Sequence, residues 1–213
     1  MLTALTIVMK PIVLASRTVV LSPLSIDHAG ALAEAAAESR DQFEYTRVPD
    51  GIDDARRYIE AALGDQEAGR RMPFVIVWQG RVVGSTSYLD MQRWRWPNGS
   101  PFQRAERPDA VEIGATWLAA SAQRTRCNTE SKLLLLSQAF EGWDVHRVSF
   151  KTDERNARSR RAIERLGAAF EGVRRGDMPG QDGSVRASAY YSIVRTEWPE
   201  VRRRLEAALA SRA

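Results

Sequence analysis

The chain has 213 residues, of which 44% are hydrophobic and 27% charged, a composition typical of a globular protein long enough to bury a full core. Its formal net charge of +4 comes mainly from arginine, and the basic clusters at 155–161, 174–175 and 202–204 fit a polyanionic ligand, a nucleic acid or a solvated surface. One cysteine and two histidines exclude a disulfide framework and argue against a His/Cys metal site, so we expect no metal.

The N-terminal segment is apolar, but Lys10 and Pro11 interrupt the apolar run. We therefore predict an irregular tail over 1–13 rather than a secretion signal, followed by a single domain over 14–213. No later apolar run approaches membrane-spanning length, so no membrane partner is expected. The single cysteine favours a reducing compartment, and we predict a cytoplasmic protein.

Hydrophobic periodicity predicts strands and helices along the whole chain. Alternating β-branched residues indicate a first strand that Pro23 closes, and Ser25 is placed to cap the helix that follows. Asn156 and Gly167 are the residues expected to cap the two ends of a later helix. In chain order, we predict a strand at 17–22, helices at 26–39 and 52–68, a hairpin at 74–91 with its turn at 79–80, a strand at 111–119, a helix that follows Asn128 and Thr129 and reaches Phe140, a strand at 145–152, a helix at 156–166, strands at 168–178 and 185–195, and a helix at 197–210.

This order predicts an α/β fold, because an antiparallel front passes into parallel β–α–β connections. The expected architecture is a mixed sheet with helices on its faces. The segment 92–109 has no period and is longer than most connections in compact domains. Trp94 and Trp96, at its start, either pack under the loop or contact a substrate.

The stretch from Val111 to Phe140 is a strand–loop–helix joint around which the rest of the chain is organised. At the N-terminus of a helix, several backbone N–H groups lack intrahelical partners and the helix dipole adds partial positive charge. Such a joint can hold an anion such as a diphosphate, although most joints of this kind hold nothing.

Four stretches carry a resemblance to a known family, namely VEIGATWL, SAQRTRCNTESKLLLL, RVSFKTDERNARSRRAIERLGAAFEG and SAYYSIVRTEWPEV. They resemble the GNAT acyltransferases, in the RimJ/RimL-like branch of ribosomal-protein N-terminal acetyltransferases, over about 14–200. The NxxSxxxIExLG pattern at 156–167 is among the more specific parts. The resemblance implies the GNAT fold, with acetyl-CoA as the acyl donor and a primary amine as the acceptor.

The resemblance also implies a donor site. In the family, a Q/R-x-x-G-x-G/A loop wraps the CoA diphosphate, and here Arg126 and Asn128 stand at its two glycine positions. Asn tolerates unusual backbone angles, whereas Arg126 is either strained, if φ is positive there, or paired with a phosphate. The preceding strand would receive the pantetheine arm like an added strand. The implied donor-binding residues are Thr116, Trp117, Leu118, Gln123, Arg124, Thr125, Arg126, Cys127, Asn128, Thr129, Asn156 and Ser159.

Acyl transfer to an amine needs a proton acceptor and donors for the oxyanion. Glu112 is the predicted base, directly or through a water, because it interrupts an apolar strand and matches a carboxylate found there in this branch. The alternative is that Glu112 bonds to neighbouring backbone or arginine, and Asp90 is the second choice of base. Asn156 and Ser159 are expected to face the pantetheine and thioester, with helix capping and solvation as their alternative roles.

Three residues complete the expected chemistry. Ile163 replaces the tyrosine that usually protonates the departing thiolate in this family, so Ser159 or a water would take that role. Cys127 has no neighbouring base in the sequence, which disfavours a covalent mechanism. His146 lies at the start of a strand and is interpreted as structural.

The leading functional hypothesis is an acetyl-CoA-dependent N-acyltransferase acting on a peptide or protein N-terminus or on a small-molecule amine. The alternative, suggested by Arg126 and Ile163, is a catalytically impaired CoA-binding or interaction module. A nucleic-acid partner is not expected, because the arginines are not interleaved with aromatic residues. A homodimer stays possible. Information on the acceptor would lie in the irregular segments 40–51 and 92–109.

Overall fold

We describe the fold from a computed structural model, which covers residues 10–103 and 106–211. Most of the predicted tail lies outside the described residues. The strands are β1 (Leu14–Ala15), β2 (Val19–Pro23), β3 (Arg71–Trp78), β4 (Arg81–Gln92), β5 (Ala110–Leu118), β6 (Arg147–Asp153), β7 (Ala169–Pro179) and β8 (Val185–Val194). The helices are α1 (Ala29–Ala37), α2 (Gly51–Glu67), α3 (Cys127–Ser137), α4 (Ala157–Leu166) and α5 (Trp198–Ala210).

All eight strands form one mixed sheet in the order β1-β2-β3-β4-β5-β6-β8-β7. The pairing of β5 with β6 is parallel, and the other neighbours pair antiparallel. The parallel pair is connected through α3, as a crossover between parallel strands requires. The α/β class and the mixed sheet predicted from the sequence are therefore confirmed.

Helices cover both faces of the sheet, and two hydrogen bonds from β4 distinguish the faces. Tyr58 of α2 donates to Ser85 at 3.3 Å, whereas Tyr88 donates to the carbonyl oxygen of Leu135 in α3 at 2.6 Å. Because side chains alternate along a strand, Ser85 and Tyr88 point to opposite sides. We call these sides the α2 face and the α3 face. Arg160 of α4 donates to the Tyr191 hydroxyl of β8, and the strand register places Tyr191 on the α3 face.

The core on the α3 face is built mainly from large aromatic side chains that are buried against one another. Tyr88 is fully buried, with its ring 5.9 Å from that of Phe74 and 4.6 Å from that of Trp143. Phe140 stacks on Trp198 of α5 at 5.3 Å. Burial of each large side chain stabilises the fold by roughly 1.5–3 kcal/mol, so α3 and α5 are held on the sheet mainly by apolar contact.

Several predicted boundaries are wrong at the ends of elements, including the start of the hairpin, which lies at Arg71 rather than 74. The first helix begins as a 3-10 turn at Ile26–His28, and the N–H of Ser25 donates to His28 Nδ1 at 3.0 Å, so α1 starts only at Ala29. The strand predicted at 17–22 runs from Val19 to Pro23, and a separate short strand at Leu14–Ala15 precedes it, because the chain turns at Ser16, whose N–H donates to the Val19 carbonyl at 2.9 Å. The long helix starts at Cys127, before Asn128, and ends in a π-helical turn at 138–142.

The aromatic residues after β4 pack against one another and against His146, although Trp94 is 39% and Phe102 43% exposed. Trp94 stacks on His146 at 5.5 Å between ring centroids, and Phe102 meets the same imidazole edge-on at 5.1 Å. Trp96 donates through its indole N–H to Asp109 at 2.9 Å. Packing is therefore observed for Trp94 and Trp96, whereas contact with a substrate stays a prediction, and the ring contacts of His146 agree with a structural role.

Lys132 of α3 is a buried cation that sequence reasoning did not single out. Its Nζ lies 2.6 Å from Thr116 Oγ1 and 3.3 Å from Thr86 Oγ1, and the two hydroxyls lie 2.8 Å apart. Among the described residues, no carboxylate lies within 4 Å of this ammonium. Burial without an opposite charge disfavours the charged form and lowers the pKa of Lys132 to about 7.

Gly84 of β4 allows an unusually close approach to β5. A Cβ atom at this position would lie 2.1 Å from the Trp117 carbonyl oxygen, which is backbone and cannot move aside alone. We expect Gly84→Ala to lower the free energy of unfolding by roughly 1–3 kcal/mol, measured by urea denaturation. In Gly30→Ala, nothing lies within 4 Å of the added atom, so this helical control should gain roughly 0.5–1 kcal/mol. Equal stability of Gly84→Ala and wild type would contradict the close approach.

The Lys132→Met variant tests the buried cation through pH. The folded pKa of about 7 lies below the ordinary value of 10.5, so between these values only the unfolded chain binds the proton. Stability of the wild type therefore rises with pH across this window. We expect the stability of Lys132→Met relative to wild type to decline by on the order of 1–3 kcal/mol between pH 7 and 9, measured by urea unfolding. A pH-independent difference would show that Lys132 is not titrating there.

Candidate active site

The site is built where β5 and β6 separate. Their parallel pairing covers only Ala110 with Arg147, Val111 with Val148 and Glu112 with Ser149. Beyond this point β5 pairs with β4 alone, while β6 continues alongside β8 to Asp153. The edge of β5 over 113–118 therefore faces a gap in the sheet. A ligand that carries amide groups can add to such an edge as a strand does.

Two β-bulges flank this gap. In β4, Asp90 and Met91 stand opposite a single residue of β5, and in β5 the extra residue lies at Ala115–Thr116. Asp90 and Ala115 both have left-handed backbone angles, with φ of 44° and 48°. A bulged strand bends and twists more strongly than a regular one. The bulges thus account physically for the separation of β5 from β6.

Glu112 occupies the last pair before the strands separate. Its register with Leu89 places it on the α2 face, and it is only 6% exposed. Lys151 of β6 is its charged partner, with Nζ 3.5 Å from Oε2. A Cβ atom on Gly114 would lie 2.8 Å from Glu112 Oε1, so a larger residue there would displace the carboxylate. The observed partner is a lysine rather than the arginine or backbone groups considered from the sequence.

The electrostatic surroundings of Glu112 favour its protonated form. Burial raises its pKa above the ordinary value, Lys151 opposes this rise and the nearby Asp90 adds to it. A carboxylate with a raised pKa is a stronger proton acceptor than one in water, as a general base requires. Sequence reasoning missed Lys151, although it lies two residues after Ser149 and therefore on the same face of β6.

In the loop before α3, the residue at the position of the family's first glycine does not have a left-handed backbone angle. Arg126 has φ of −71° and ψ of −16°, which are ordinary right-handed values. The left-handed residue is instead Arg124, with φ of 60°. The interpretation of Arg126 as a steric cost is therefore wrong. Its Nε lies 3.3 Å from Glu130 Oε2, so the guanidinium is anchored to the helix it precedes.

The first turn of α3 is the candidate anion-binding element. The N–H of Cys127 bonds to Thr125 Oγ1 at 3.1 Å, and that hydroxyl donates to the Ala122 carbonyl at 2.7 Å. The sequence placed Asn128 and Thr129 before the helix, but both lie within its first turn. Their N–H groups have no acceptor inside the helix and are available to a ligand.

Glu130 ties this turn to the start of the sheet. Its carboxylate accepts hydrogen bonds from the Ser16 hydroxyl and from both the N–H and the hydroxyl of Thr18, the latter two at 3.1 and 2.7 Å. Burial raises the Glu130 pKa, but these donors and Arg126 outweigh it, so the pKa is lowered. The helix N-terminus is thus held by the N-terminal strands.

Cys127 is poorly suited to covalent chemistry. The thiol is fully buried, and burial raises its pKa to about 12. The reactive form of a cysteine is the thiolate, which is negligible at neutral pH for such a group. The geometry agrees with the sequence argument against Cys127 as a nucleophile.

The end of β5 that follows the bulge is held by contacts with neighbouring segments. Trp117 packs edge-on against Phe43 at 6.0 Å, and its indole N–H is buried without a hydrogen-bond partner in the described part of the chain. Gln123 donates to the Leu118 carbonyl at 2.8 Å and accepts from Arg158 at 3.3 Å. An unpartnered buried donor in a native fold calls for an explanation, and a ligand acceptor is one.

The start of α4 lies at the carboxyl end of β6. Asn156 is 6% exposed and caps the helix, its Oδ1 accepting from the Ser159 N–H at 3.0 Å. Gly167 ends the helix with φ of 98°, so both predicted caps are confirmed. Capping is the observed role of Asn156, and contact of Asn156 and Ser159 with a donor thioester stays a prediction. Ile163 packs against the core.

Metal binding and membrane insertion have no support in the described residues. No group of three or more His, Cys, Asp or Glu side chains within 10–103 and 106–211 could hold a metal ion. Over the same ranges, every helix is too short or too polar to cross a bilayer.

Comparison with known proteins agrees with this geometry. Residues 18–169 match the family described as an acetyltransferase (GNAT) domain. A Thermus thermophilus protein classed as an acetyltransferase is 32% identical, with 94% of this chain and 98% of that chain covered and a TM-score of 0.77. No curated protein matches the sequence.

Two more distant structures share the fold. Mycobacterium smegmatis RimJ, solved in complex with CoA-disulfide, is 21% identical, with 89% of this chain and 88% of that chain covered and a TM-score of 0.71. RimL, a ribosomal-protein α-N-acetyltransferase solved with coenzyme A, is 18% identical, with 85% and 97% covered and a TM-score of 0.66. Because the family match spans most of the sequence, the chain belongs to the GNAT acetyltransferases, enzymes that use acetyl-CoA and transfer its acetyl group to an amine.

Proposed function

We propose that acetyl-CoA lies along the free edge of β5 and that Glu112 accepts the proton of the acceptor amine, directly or through a water. The position of Glu112 carries this proposal, because it is the last paired residue before β5 and β6 separate. A thioester held in the gap is then within reach of an amine that approaches from the α2 face.

The donor side draws on backbone groups more than on charged side chains. The edge of β5 at 116–118 would bond the pantetheine amides, and the first turn of α3 would receive the diphosphate. Arg158 bonds to Gln42 and Arg160 bonds to Tyr191 within the protein. Because both guanidinium groups already have partners, they support a donor site that relies on backbone groups. Asn156 and Ser159 would line the thioester end, and backbone N–H groups near Trp117–Leu118 would polarise its carbonyl.

The reaction balances with one proton acceptor and one proton donor. The amine nitrogen forms a bond with the thioester carbonyl carbon, the carbon–sulfur bond breaks, and the amine proton passes to Glu112. The departing thiolate takes a proton from Ser159 or a water, since Ile163 replaces the usual tyrosine. A thiol pKa near 8.5 makes this a good leaving group without a strong acid.

A protein or peptide N-terminus is the acceptor class we favour. Strand β7, the edge strand that β8 separates from β6, is exposed along nearly its whole length, which leaves the outer part of the sheet open to an extended chain. RimL, which shares the fold, is a ribosomal-protein α-N-acetyltransferase. A small-molecule amine is the second candidate acceptor.

Two predictions about cellular context complete the proposal. A cytoplasmic location fits a chain whose single cysteine is fully buried as a free thiol. A homodimer would use the edge strand β7, where Phe170 and Val173 are exposed apolar side chains. Analytical ultracentrifugation at micromolar concentration measures the second prediction directly.

A catalytically impaired CoA-binding module is the competing function, and the replacement by Ile163 favours it. The two functions differ in turnover. Thiol release from acetyl-CoA, assayed against peptides with varied N-termini and against polyamines, reports turnover, and calorimetry with CoA reports binding. Tight CoA binding without acetyl transfer to any amine would support the impaired module.

Replacement of the base should separate binding from chemistry. We expect Glu112→Gln to lower kcat by about 10²–10⁴-fold, because the amide cannot accept the amine proton, while the affinity for acetyl-CoA is kept. Steady-state kinetics and calorimetry measure the two effects. Glu171→Gln is the matched control, since this strand carboxylate pairs with Arg147 away from the gap. Unchanged kcat in Glu112→Gln would remove Glu112 as the base.

The lysine beside the base should set the acid limb of the pH–rate profile. Lys151 holds the Glu112 pKa down against burial, so Lys151→Met should raise that pKa further. Because the base acts deprotonated, activity rises with pH through this value, and the limb of kcat/KM should move to higher pH. A limb that stays in place, or moves to lower pH, would contradict the assignment.

A further inference from the structure

We propose that Lys132 is a positioning residue that joins the two halves of the donor site, by fixing the bulge of β5 to the helix that receives the diphosphate. The inference rests on the proposed placement of acetyl-CoA. Lys132 touches neither the acceptor side nor Glu112. Its effect on the reaction therefore passes through the backbone that holds the donor.

The contacts of Lys132 converge on the bulge. Its Nζ is 2.6 Å from Thr116 Oγ1, and this hydroxyl also lies 3.3 Å from the Gly114 carbonyl, on the other side of the left-handed Ala115. The second contact, at 3.3 Å, is to Thr86 on the facing strand. One amino group thus contacts both strands at the point where β5 bends away from β6.

Stability does not explain a lysine at this position. A buried ammonium without a carboxylate is unfavourable, and an apolar side chain of similar length would fill the same space without desolvating a charge. The amino group of Lys132, protonated or neutral, does supply directional N–H donors that fix a hydroxyl, which an apolar side chain cannot. Residues that oppose stability in this way are expected where they serve a site.

Helix α3 connects the Lys132 contact to the proposed diphosphate site. Lys132 follows the first turn at Cys127–Thr129 by about one turn of α3, so the diphosphate element and the ammonium belong to one rigid body. A diphosphate bound at the helix N-terminus then positions the bulge, and with it the backbone along the thioester. Binding energy from a remote part of a substrate can in this way raise kcat.

Two donors of different length test the coupling. Acetyl-CoA carries the diphosphate and S-acetylpantetheine does not, so their ratio of kcat values measures how far the diphosphate contributes to the chemical step. We expect Lys132→Met to lower kcat with acetyl-CoA about tenfold to a hundredfold and to leave kcat with S-acetylpantetheine within about twofold. A residue that is only structural would lower both values alike.

Three further variants sharpen the test. Thr116→Val removes the hydroxyl partner and should reduce the donor ratio as Lys132→Met does, and the double variant should be no worse than the poorer single variant. Tyr88→Phe is the matched control, because it removes a different hydrogen bond between β4 and α3. It should lower the melting temperature and keep the donor ratio. Thr116→Val also carries the test if Lys132→Met fails to fold.

The results that would overturn the role of Lys132 differ from those that would overturn the proposed diphosphate site. Equal losses with both donors in Lys132→Met, or a reduced ratio in Tyr88→Phe, would assign Lys132 a structural role. If wild type shows no preference for acetyl-CoA over S-acetylpantetheine and calorimetry finds equal affinity for CoA and pantetheine, the proposed diphosphate site is wrong as well. A reduced ratio confined to the Lys132 and Thr116 variants supports the coupling.

Discussion

The organisation of this protein depends on one requirement, that the backbone polar groups of β5 find partners on both sides. On the β4 side these groups have strand partners along the length of β5, but on the β6 side they have them only as far as Glu112. Two bulges bend the strands apart at this point. The fold therefore keeps an unfilled hydrogen-bonding edge in the middle of an eight-stranded sheet, where an amide-bearing ligand can complete what the protein leaves open.

The two lysines near this edge show how surroundings decide what a charge does. Lys151 is partly exposed and faces a carboxylate, so it opposes the rise in the pKa of Glu112. Lys132 is buried on the opposite face against two threonine hydroxyls, and its own pKa falls instead. The same residue type thus tunes a neighbour at one position and orients backbone at the other.

Much of the fold was predictable because its signals are local. Alternation, turn residues and the caps at Asn156 and Gly167 depend on neighbours in sequence, and the family motifs indicated Glu112 as the base candidate. The bulges were not predictable, since Ala115 is not a residue type that favours left-handed angles, and Asp90 adopts one inside a segment whose sequence predicts a regular strand. The same reason explains why strain was expected at Arg126 and occurs at Arg124. Lys132 was missed because the run SKLLLL reads as apolar, although helical spacing from Leu135 and Leu136 places it on the buried stripe.

The carboxylate of Glu130 has a consequence for where this chain can be cut. The family match begins at residue 18, yet the Ser16 hydroxyl, outside that boundary, bonds to the buried Glu130. A fragment trimmed to the matched region would leave that carboxylate short of a donor, directly behind the first turn of α3. Proteolytic trimming or tight fusion at the amino end would then loosen the loop before α3, because Ser16 and Glu130 are in contact although 114 residues separate them in sequence.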